Sequence, residues 1–316
     1  MRSEDHAGGA DDLHGEGGEW RVEDQRLSWE ILDAFRDACV SAGIPETADF
    51  NRGNNEGVGY FKVNQRRGLR WSSATAFLKP ALRRRNLQVM TQAQVESLVM
   101  NGKQVTGLRF RHSGKVKQAS ADGAVILSAG AIGSPQIMQL SGIGAAELLQ
   151  SHGIDVAHHL PGVGGNLQDH YQMRTIVRMK AKASLNNQIR NPFSLARMGL
   201  DWAIRGRGPL TVGAGQVGGG ARTEHAPTGA PDIQFNVMPL SVDKPGDPLH
   251  RYPGFTAAVW QCHPESRGRI DIISNDPAAD PRIDPNYLAA DLDQKTIIAG
   301  IKMLRDIYQQ AGFRHL

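Results

Sequence analysis

The sequence predicts a mixed α/β fold in two parts, divided near residue 171. Residues 124–128 are apolar without alternation and run directly into a glycine-containing helix start, which predicts a buried strand followed by a helix. Two strand-like runs, 95–100 and 105–111, are joined by Asn101 and Gly102, a strong hairpin signal. Beyond residue 171, apolar runs separated by Gly and Pro loops predict an antiparallel sheet with helices on one side.

The first predicted helix covers residues 28–42. Its apolar residues, from Ile31 to Cys39, recur at helical spacing, and Ser28 is the expected N-cap. We therefore interpret Cys39 as a core residue. A short strand is predicted at residues 59–63, after a loop rich in asparagine.

The middle of the first part is predicted to be a small antiparallel meander. Strands are expected at residues 87–91, 95–100 and 105–111, and a turn at residues 113–114 leads into a further strand. After the apolar run at residues 124–128, Ser134 and Pro135 provide an N-cap and a first-turn residue for the next helix. Another short helix is expected at residues 145–151.

The second part is predicted to alternate strands with two longer helices. The strands are expected at residues 175–179, 232–239, 255–261 and 269–273, and the helices at residues 194–203 and 293–310. We accordingly predict two domains, residues 1–170 and residues 171–316.

The composition excludes several classes of protein. The chain has 316 residues, of which 40% are hydrophobic, and a formal net charge of +4, as expected for one or two globular domains. No run approaches the ~18 apolar residues of a membrane span, so no transmembrane segment is expected. Cys39 and Cys262 are too few for a disulfide framework and are not spaced as a metal site. We therefore predict no metal site and a cytoplasmic location.

Several motifs occur in the order in which one enzyme family has them. Residues 130–144 are GAIGSPQIMQLSGIG, residues 160–170 are LPGVGGNLQDH, residues 70–74 are RWSSA, and PESRG at 264–268 precedes DPNYL at 284–288. Together these motifs resemble the glucose-methanol-choline (GMC) oxidoreductases, flavoenzymes that oxidise alcohols with FAD. Gln139 departs from the pattern, because the family usually has an aliphatic residue there. The similarity extends from about His14 to near the end of the chain.

The resemblance implies that the first domain is part of an FAD-binding, Rossmann-like domain with a β-meander, and that the second is part of a substrate-binding domain. A full-length member begins with a strand, G-x-G-x-x-G and helix that hold the FAD pyrophosphate. It ends with motifs that carry the catalytic His. Neither end is found here, so we expect an internal fragment that is inactive alone and has no catalytic residue, the catalytic His lying beyond its C-terminal end.

The same resemblance implies which residues contact FAD. The backbone N–H and C=O of Val95 are expected to contact the adenine, with a plain core-strand role as the alternative. Ala129 and Gly130 end the strand against which the cofactor is expected to lie. Ser134 is a candidate hydrogen-bond donor to FAD, and a purely structural N-cap role is its alternative. His170, although it follows Asp169, is expected to be structural.

Two arginine clusters, at residues 66–70 and 83–85, could in principle bind an anionic ligand such as nucleic acid. No aromatic-interleaved or zinc-finger pattern accompanies them, so we interpret them as solvated faces and predict no nucleic-acid partner. For residues 83–85, a position near a cofactor phosphate is the alternative.

Residues 213–218, GAGQVG, match G-x-G-x-x-G letter for letter. Residues 219–231 cannot open an amphipathic helix, so the match does not predict dinucleotide binding. The resemblance places this segment near the substrate, where choline-acting members have a carboxylate at the position of Gln216. A buried cation without a counter-charge costs several kcal/mol, so the neutral Gln216 predicts an uncharged alcohol. The alternative is that Gln216 is a structural loop residue.

The expected function is oxidation of the CH–OH group of primary alcohols by an FAD-dependent, choline-like dehydrogenase or oxidase, with hydride transfer from the alcohol to flavin N5. The expected partners are a small alcohol and an electron acceptor, oxygen or another, that the sequence does not name. The alternative function is a non-catalytic binding or scaffold protein that retains this region. Lyase activity is a minor alternative within the same fold.

Overall fold

The computed structural model describes residues 3–53, 55–180, 184–211, 213, 215–227, 229–244 and 246–314. Ala214 of the GAGQVG motif and the final residues 315–316 lie outside the described residues. The strands are β1 (Glu4–His6), β2 (Trp20–Val22), β3 (Gly57–Tyr60), β4 (Gln65–Arg66), β5 (Leu69–Arg70), β6 (Ala93–Asn101), β7 (Gln104–His112), β8 (Lys115–Ser120), β9 (Ile143–Gly144), β10 (His158–His159), β11 (Gln172–Arg178), β12 (Val217–Ala221), β13 (Ile233–Met238), β14 (Gly254–Gln261), β15 (Arg269–Asp271) and β16 (Arg282–Asp284).

The α-helices are α1 (Glu30–Ser41), α2 (Lys79–Ala81), α3 (Gly130–Leu140), α4 (Ala146–Ser151), α5 (Leu185–Gln188), α6 (Pro192–Arg205) and α7 (Asp291–Tyr308). A π-helical turn at Ala74–Leu78 precedes α2, and a 3-10 turn at Pro209–Thr211 follows α6. In the part of the chain that is described, no helix is both long and apolar enough to cross a bilayer.

The chain forms two compact units. Unit 1 consists of Met1–Leu87, His170–His263 and Gln294–Leu316, and unit 2 consists of Gln88–Asp169 and Pro264–Asp293. One break in the chain between the units falls at residue 170, close to the predicted division. The assignment of residues 1–170 and 171–316 to two functional domains stays a prediction.

Unit 1 is built on a four-stranded antiparallel sheet with the order β11–β14–β13–β12. Alternate residues of β13 are buried, so one face of the sheet supplies the core. On that face the Phe235 ring lies 6.2 Å from the Phe35 ring of α1. The Phe255 ring of β14 lies 5.6 Å from the Tyr308 ring of α7. The predicted antiparallel sheet with helices on one side is confirmed.

Helix α1 lies where the periodicity predicts it, with a different start. It begins at Glu30, and its N-cap is Trp29, which makes no side-chain cap hydrogen bond. The prediction that Ser28 caps this helix is therefore wrong, since tertiary packing of the apolar face fixes the helix without a polar cap. Cys39 is fully buried, and burial raises the pKa of its thiol. Its predicted place in the core is confirmed.

Unit 2 contains the predicted meander, a three-stranded antiparallel sheet with the order β6–β7–β8. Helix α3 lies beside β6, and the two elements share a small apolar core formed by Leu98, Ile137, Ile143 and Val163. The predicted hairpin is confirmed, and its two-residue turn consists of Gly102, at φ 57°, and Lys103, because Asn101 ends β6 and pairs with Gln104.

Two predicted strands are not strands in the structure. Residues 87–91 and 124–128 pair with no strand among the described residues, and Ile126 is 85% exposed. The predictions of a strand at 87–91 and of a buried strand at 124–128 are therefore wrong. An apolar run predicts extended backbone, but a strand also needs a hydrogen-bonded neighbour, which a single segment does not specify.

Helix α3 also starts earlier than predicted. Its first residue is Gly130 and its N-cap is Ala129, so Ser134 and Pro135 lie in the second turn and not at the start. The prediction that Ser134 is the N-cap is wrong. Proline has no N–H to donate to the carbonyl four residues before it, yet the short helix continues past Pro135 to Leu140 because its buried residues Ile137 and Gln139 hold it in place.

Candidate functional site

Unit 2 contains a cavity of about 330 Å³ between the first residues of β6 and one side of α3. The α3 residues that line the cavity are spaced i, i+4, i+7, i+8 and i+11 from Ala129, which is one helix face. The lining residues are Ala93, Gln94, Val95, Ala129, Gly133, Gln136, Ile137, Leu140 and Pro277. The structure thus brings Val95 and Ala129, both predicted cofactor residues, to the same cavity.

Gly130 and Ser134, the other two predicted cofactor residues, shape the start of α3 and are not among the residues that line the cavity. Gly130 has φ +79°, in the left-handed region that favours glycine, and a Cβ built there would meet no atom within 4 Å. The Ser134 Oγ accepts a hydrogen bond of 3.1 Å from the Ala129 N–H. This bond satisfies one donor of the helix start.

The position of β6 against α3 fixes the cavity. The Leu98 N–H, on the edge of β6 that does not pair with β7, donates to the Ser141 Oγ at 2.7 Å. That hydroxyl donates in turn to the Ile137 carbonyl at 2.5 Å. The β6–β7 pairing is irregular between Val95 and Ser97. A bulge therefore lies directly beside the cavity, where it re-aims the strand.

Gln139 is the residue that sequence reasoning singled out without giving it a role. Its side chain is fully buried. The Nε2 donates to the carbonyls of Val163 at 3.3 Å and Ile270 at 3.0 Å, and the Oε1 accepts from the Ile272 N–H at 2.9 Å. Gln139 thus ties α3 to the LPGVG loop and to the chain around β15. The sequence signal for this role is that an amide stands at a position where the family usually has an aliphatic residue.

Gln216 lies in unit 1, directly before β12, and is fully buried. Its carbonyl accepts hydrogen bonds from the Phe61 N–H at 3.0 Å and the Gln25 Nε2 at 2.6 Å. Among the described residues, neither its Oε1 nor its Nε2 has a hydrogen-bond partner. Because an unpaired buried polar group costs about 1–3 kcal/mol, such an amide points to a polar partner from outside the described protein atoms.

A second cavity, of about 560 Å³, lies in unit 1, and Gln216 is not among the residues that line it. Phe61, whose N–H binds the Gln216 carbonyl, lines it together with Phe50, and the two rings are 5.1 Å apart. Gly219 and Gly220 of β12 contribute bare backbone. The polar side chains at its wall are those of Asp49, Asn51, Asn55, Lys62, His170, Gln234 and His263. The cavity therefore has aromatic surface with polar groups at its wall, the composition of many small-molecule sites.

Asp169 and His170 have separate hydrogen-bond partners. The Asp169 carboxylate accepts a short hydrogen bond from the Tyr287 hydroxyl, which raises the pKa of Tyr287 to about 12. The His170 Nε2 donates to the Cys262 carbonyl at 3.0 Å. Each of these hydrogen bonds lies within one unit, and the structural role of His170 stays a prediction.

The GAGQVG motif has the local structure that its flanks predict. Its last residues, Val217 and Gly218, open β12, which pairs with β13, so no helix begins at this motif. The interpretation that it is not a dinucleotide-binding turn is confirmed, since such a turn needs a helix N-terminus directly after it.

His6, His14 and Asp49 in unit 1 each place one ligand-type atom within 4.8 Å of the others. The buried His14 lies with Nε2 2.6 Å from the Asp49 carboxylate and Nδ1 3.2 Å from the Glu4 carboxylate. These two hydrogen bonds, that to Asp49 first, raise the pKa of His14. An imidazolium that donates at both nitrogens has no lone pair for a metal, so the geometry favours two charge-assisted hydrogen bonds from His14 to the carboxylates. The predicted absence of a metal stays a prediction.

Comparison with known proteins identifies the family. Residues 18–172 match the N-terminal domain of the GMC oxidoreductases, and residues 264–315 match the C-terminal domain. The chain is 36% identical over 301 residues to an alcohol dehydrogenase (acceptor) of Pseudomonas putida, covering 93% of this chain and 54% of that relative. It is 36% identical over 283 residues to an oxygen-dependent choline dehydrogenase of Staphylococcus xylosus, covering 89% of this chain and 50% of that relative. This chain belongs to the GMC oxidoreductase family.

The fold agrees with this assignment. A solved structure of formate oxidase from Aspergillus oryzae RIB40, studied for its FAD modification, superimposes with a TM-score of 0.87 at 22% identity, over 99% of this chain and 60% of that one. The chain spans about half the length of the curated relatives it matches.

Proposed function

We propose that this chain is part of an FAD-dependent oxidoreductase that acts on the CH–OH group of primary alcohols. The observation that carries the proposal is the cavity in unit 2, where the start of β6 meets one face of α3 in a chain of the GMC family. A cavity of about 330 Å³ is at the low end of the 300–1,000 Å³ typical of ligand pockets. It has room for one ring system of a dinucleotide, not for the whole molecule.

The groups around this cavity fit the adenine end of FAD. The lining residues offer backbone N–H and C=O groups at Ala93–Val95 and the neutral amides of Gln94 and Gln136, with no charged side chain among them. Such a set suits an uncharged heteroaromatic edge and does not suit a pyrophosphate. In this proposal Val95 contacts the adenine through its backbone, and Ala129 and Gly130 keep the helix start free of bulk. Bound FAD supplies a hydride acceptor at flavin N5.

The substrate side of the proposal rests on Gln216. Its buried, unpartnered amide can donate to or accept from a neutral hydroxyl group, whereas it offers a quaternary ammonium group only a dipole. A carboxylate at this position would supply a full opposite charge. We therefore propose an uncharged primary alcohol as the substrate, although choline dehydrogenases are among the relatives of this chain.

The location and partners follow from the same proposal. The described cysteines, Cys39 and Cys262, are both unpaired, as a reducing compartment requires, which supports a cytoplasmic location. The proposed partners are a small alcohol and an electron acceptor, oxygen or another, which would reoxidise bound FAD, and no nucleic-acid partner is part of the proposal.

The test fills the unit 2 cavity in the whole protein. Ala129→Leu places a branched side chain in the cavity, and Ala131→Leu places the same side chain on an exposed neighbour that does not line it. We expect Ala129→Leu to weaken FAD binding at least tenfold, measured as flavin absorbance per protein during titration, and Ala131→Leu to leave it unchanged. Equal flavin binding by both variants would refute the cofactor role of this cavity.

A further inference from the structure

Helix α6 in unit 1 presents an apolar surface to solvent. Phe193, Leu200 and Ile204 are 86%, 61% and 72% exposed. On the far side of the helix Leu195 and Trp202 are less exposed, at 47% and 38%, and Met198 is buried. At about 100° per residue, the three exposed positions fall within about 40° of one another around the helix axis. A surface helix ordinarily turns its polar residues to solvent, so an exposed apolar stripe of this kind marks an interaction site.

The small residues beside the stripe are exposed as well. Ala196 and Ala203 lie next to it on the helix, and Arg197 is the one charged residue within it. We call Phe193, Ala196, Arg197, Leu200, Ala203 and Ile204 the outer face of α6. The stripe extends for about 16 Å along the helix, from residue 193 to residue 204 at about 1.5 Å per residue. Arg197 also lines a cavity of about 560 Å³ together with Ser194 and Met198. The other residues of the outer face line neither this cavity nor the two described above.

The charges around the outer face are basic. Arg190 and Arg207 lie near its two ends and Arg197 lies within it. In the described part of the chain, no carboxylate oxygen lies within the 4.0 Å ion-pair distance of these three guanidinium groups. Asp201 is the one acidic residue between positions 184 and 211, and it pairs with Arg205 at 3.2 Å. The surface therefore combines exposed apolar side chains with three arginines that form no ion pair with the described residues. Arg207 also lines a cavity that Glu23 and Asp24 line.

We propose that the outer face of α6 binds an anionic phospholipid surface. A straight apolar stripe flanked by arginines has the composition of helices that lie in a membrane interface, with apolar side chains at the acyl boundary and guanidinium groups beside lipid phosphates. The unpartnered arginines select an anionic lipid surface over a neutral apolar partner, because each gains from a negative surface potential. This inference is independent of the proposed catalytic function.

The test measures sedimentation of the whole protein with vesicles of phosphatidylcholine alone and of phosphatidylcholine with about one third phosphatidylglycerol. Since one basic residue near an anionic surface changes binding about fivefold, three arginines predict at least tenfold tighter binding to the anionic vesicles. Binding is expected to weaken between about 50 and 500 mM salt, because exposed charges are screened.

Variants assign the binding to the outer face. Phe193→Asp and Ile204→Asp are each expected to reduce vesicle binding at least tenfold, and Arg197→Glu to abolish the preference for anionic lipid. Ile298→Asp and Lys302→Glu, at exposed positions of α7, are the matched controls and should bind as the unchanged protein does. Phe193→Ser is the milder variant, and circular dichroism checks that each protein is folded.

Three results would overturn the proposal. The first is no binding to either vesicle by the folded whole protein. The second is equal binding to both vesicles, or equal loss in the α7 controls. The third is a dimer in light scattering that Phe193→Asp dissociates while vesicle binding is unchanged, since the outer face would then be occupied by a second copy of the chain.

Discussion

Replacing Gln139 by leucine is expected to destabilise unit 2, although leucine is the kind of residue that the family usually has there. The wild-type amide makes three hydrogen bonds in a fully buried position, two as donor and one as acceptor. Leucine has a similar size and makes none of them. The effect therefore depends on whether lost hydrogen bonds outweigh the gain from burying a more apolar side chain.

The structure allows this balance to be estimated. The Ile272 N–H loses its acceptor, and an unpaired buried donor costs about 1–3 kcal/mol. The carbonyls of Val163 and Ile270 each lose a donor, at about 0.5–1.5 kcal/mol per hydrogen bond. Burying leucine in place of glutamine returns about 1.5–3 kcal/mol. The expected net loss is about 2 kcal/mol of the free energy of unfolding of unit 2.

Hydrogen exchange followed by mass spectrometry is the assay, because it resolves the two units. A loss of about 2 kcal/mol corresponds to about thirtyfold faster exchange in peptides that contain Ile272 and Val163. Peptides from α7 in unit 1 serve as the internal reference, and Gln150→Leu, an exposed glutamine of unit 2, is the matched control. If the Ile272 peptide exchanges no faster in Gln139→Leu than in wild type, the hydrogen bonds of this amide do not stabilise the packing of α3 in unit 2.

Three further predictions concern the other groups. His14→Gln should lower the free energy of unfolding by about 2 kcal/mol at pH 6, because the hydrogen bonds to the Asp49 and Glu4 carboxylates are lost. Since the pKa of His14 is raised in the folded state, the stability difference between wild type and variant is full below about pH 6.5 and is lost as pH rises through the folded pKa. A constant difference from pH 5 to 9 in urea titrations would contradict this prediction. In the whole enzyme, Gln216→Glu should raise kcat/KM for choline relative to a neutral primary alcohol by about tenfold, less so at high salt, and an unchanged ratio with flavin bound would mean that Gln216 does not face the substrate. Gly130→Ala should lower the free energy of unfolding by about 1 kcal/mol through backbone strain at φ +79°. A Cβ there meets no other atom, so no steric clash adds to the strain, and an unchanged thermal unfolding temperature would contradict the prediction.

Much of the fold is predictable because its signals are local. Helices α1 and α7 follow from apolar residues at helical spacing, and the β6–β7 hairpin follows from an Asn-Gly turn between strand-like runs. The apolar run at residues 124–128 is the instructive failure. Its composition favours extended chain, but pairing depends on which segment lies beside it, and that is a property of the tertiary structure.

The candidate site is less predictable for the same reason. The family resemblance predicts both Val95 and Ala129 as cofactor residues, yet only the position of α3 against β6 places them at one cavity. The partners of Gln139 are a residue 24 positions away and two more than 130 positions away, so no local pattern could name them. The sequence did mark the residue itself, since an amide in an aliphatic position has to find hydrogen-bond partners if it is buried.

The proposed cofactor site and the proposed substrate residue differ in how they would recognise a ligand. This difference explains why some site residues can be predicted from the sequence and others cannot. In unit 2 the lining is backbone, small and larger apolar side chains and two neutral amides, so recognition by backbone groups depends on the path of the chain more than on particular polar side chains. In unit 1 the Gln216 amide is buried with both polar atoms unpartnered in the described structure, so the proposed substrate role depends on this one side chain. A change of side chain at Val95 should therefore matter little as long as β6 keeps its bulge, whereas under the proposed function a change at Gln216 is expected to alter the charge that the substrate meets. Specificity in this family member is then expected to evolve at the substrate side while the cofactor side stays fixed by backbone geometry.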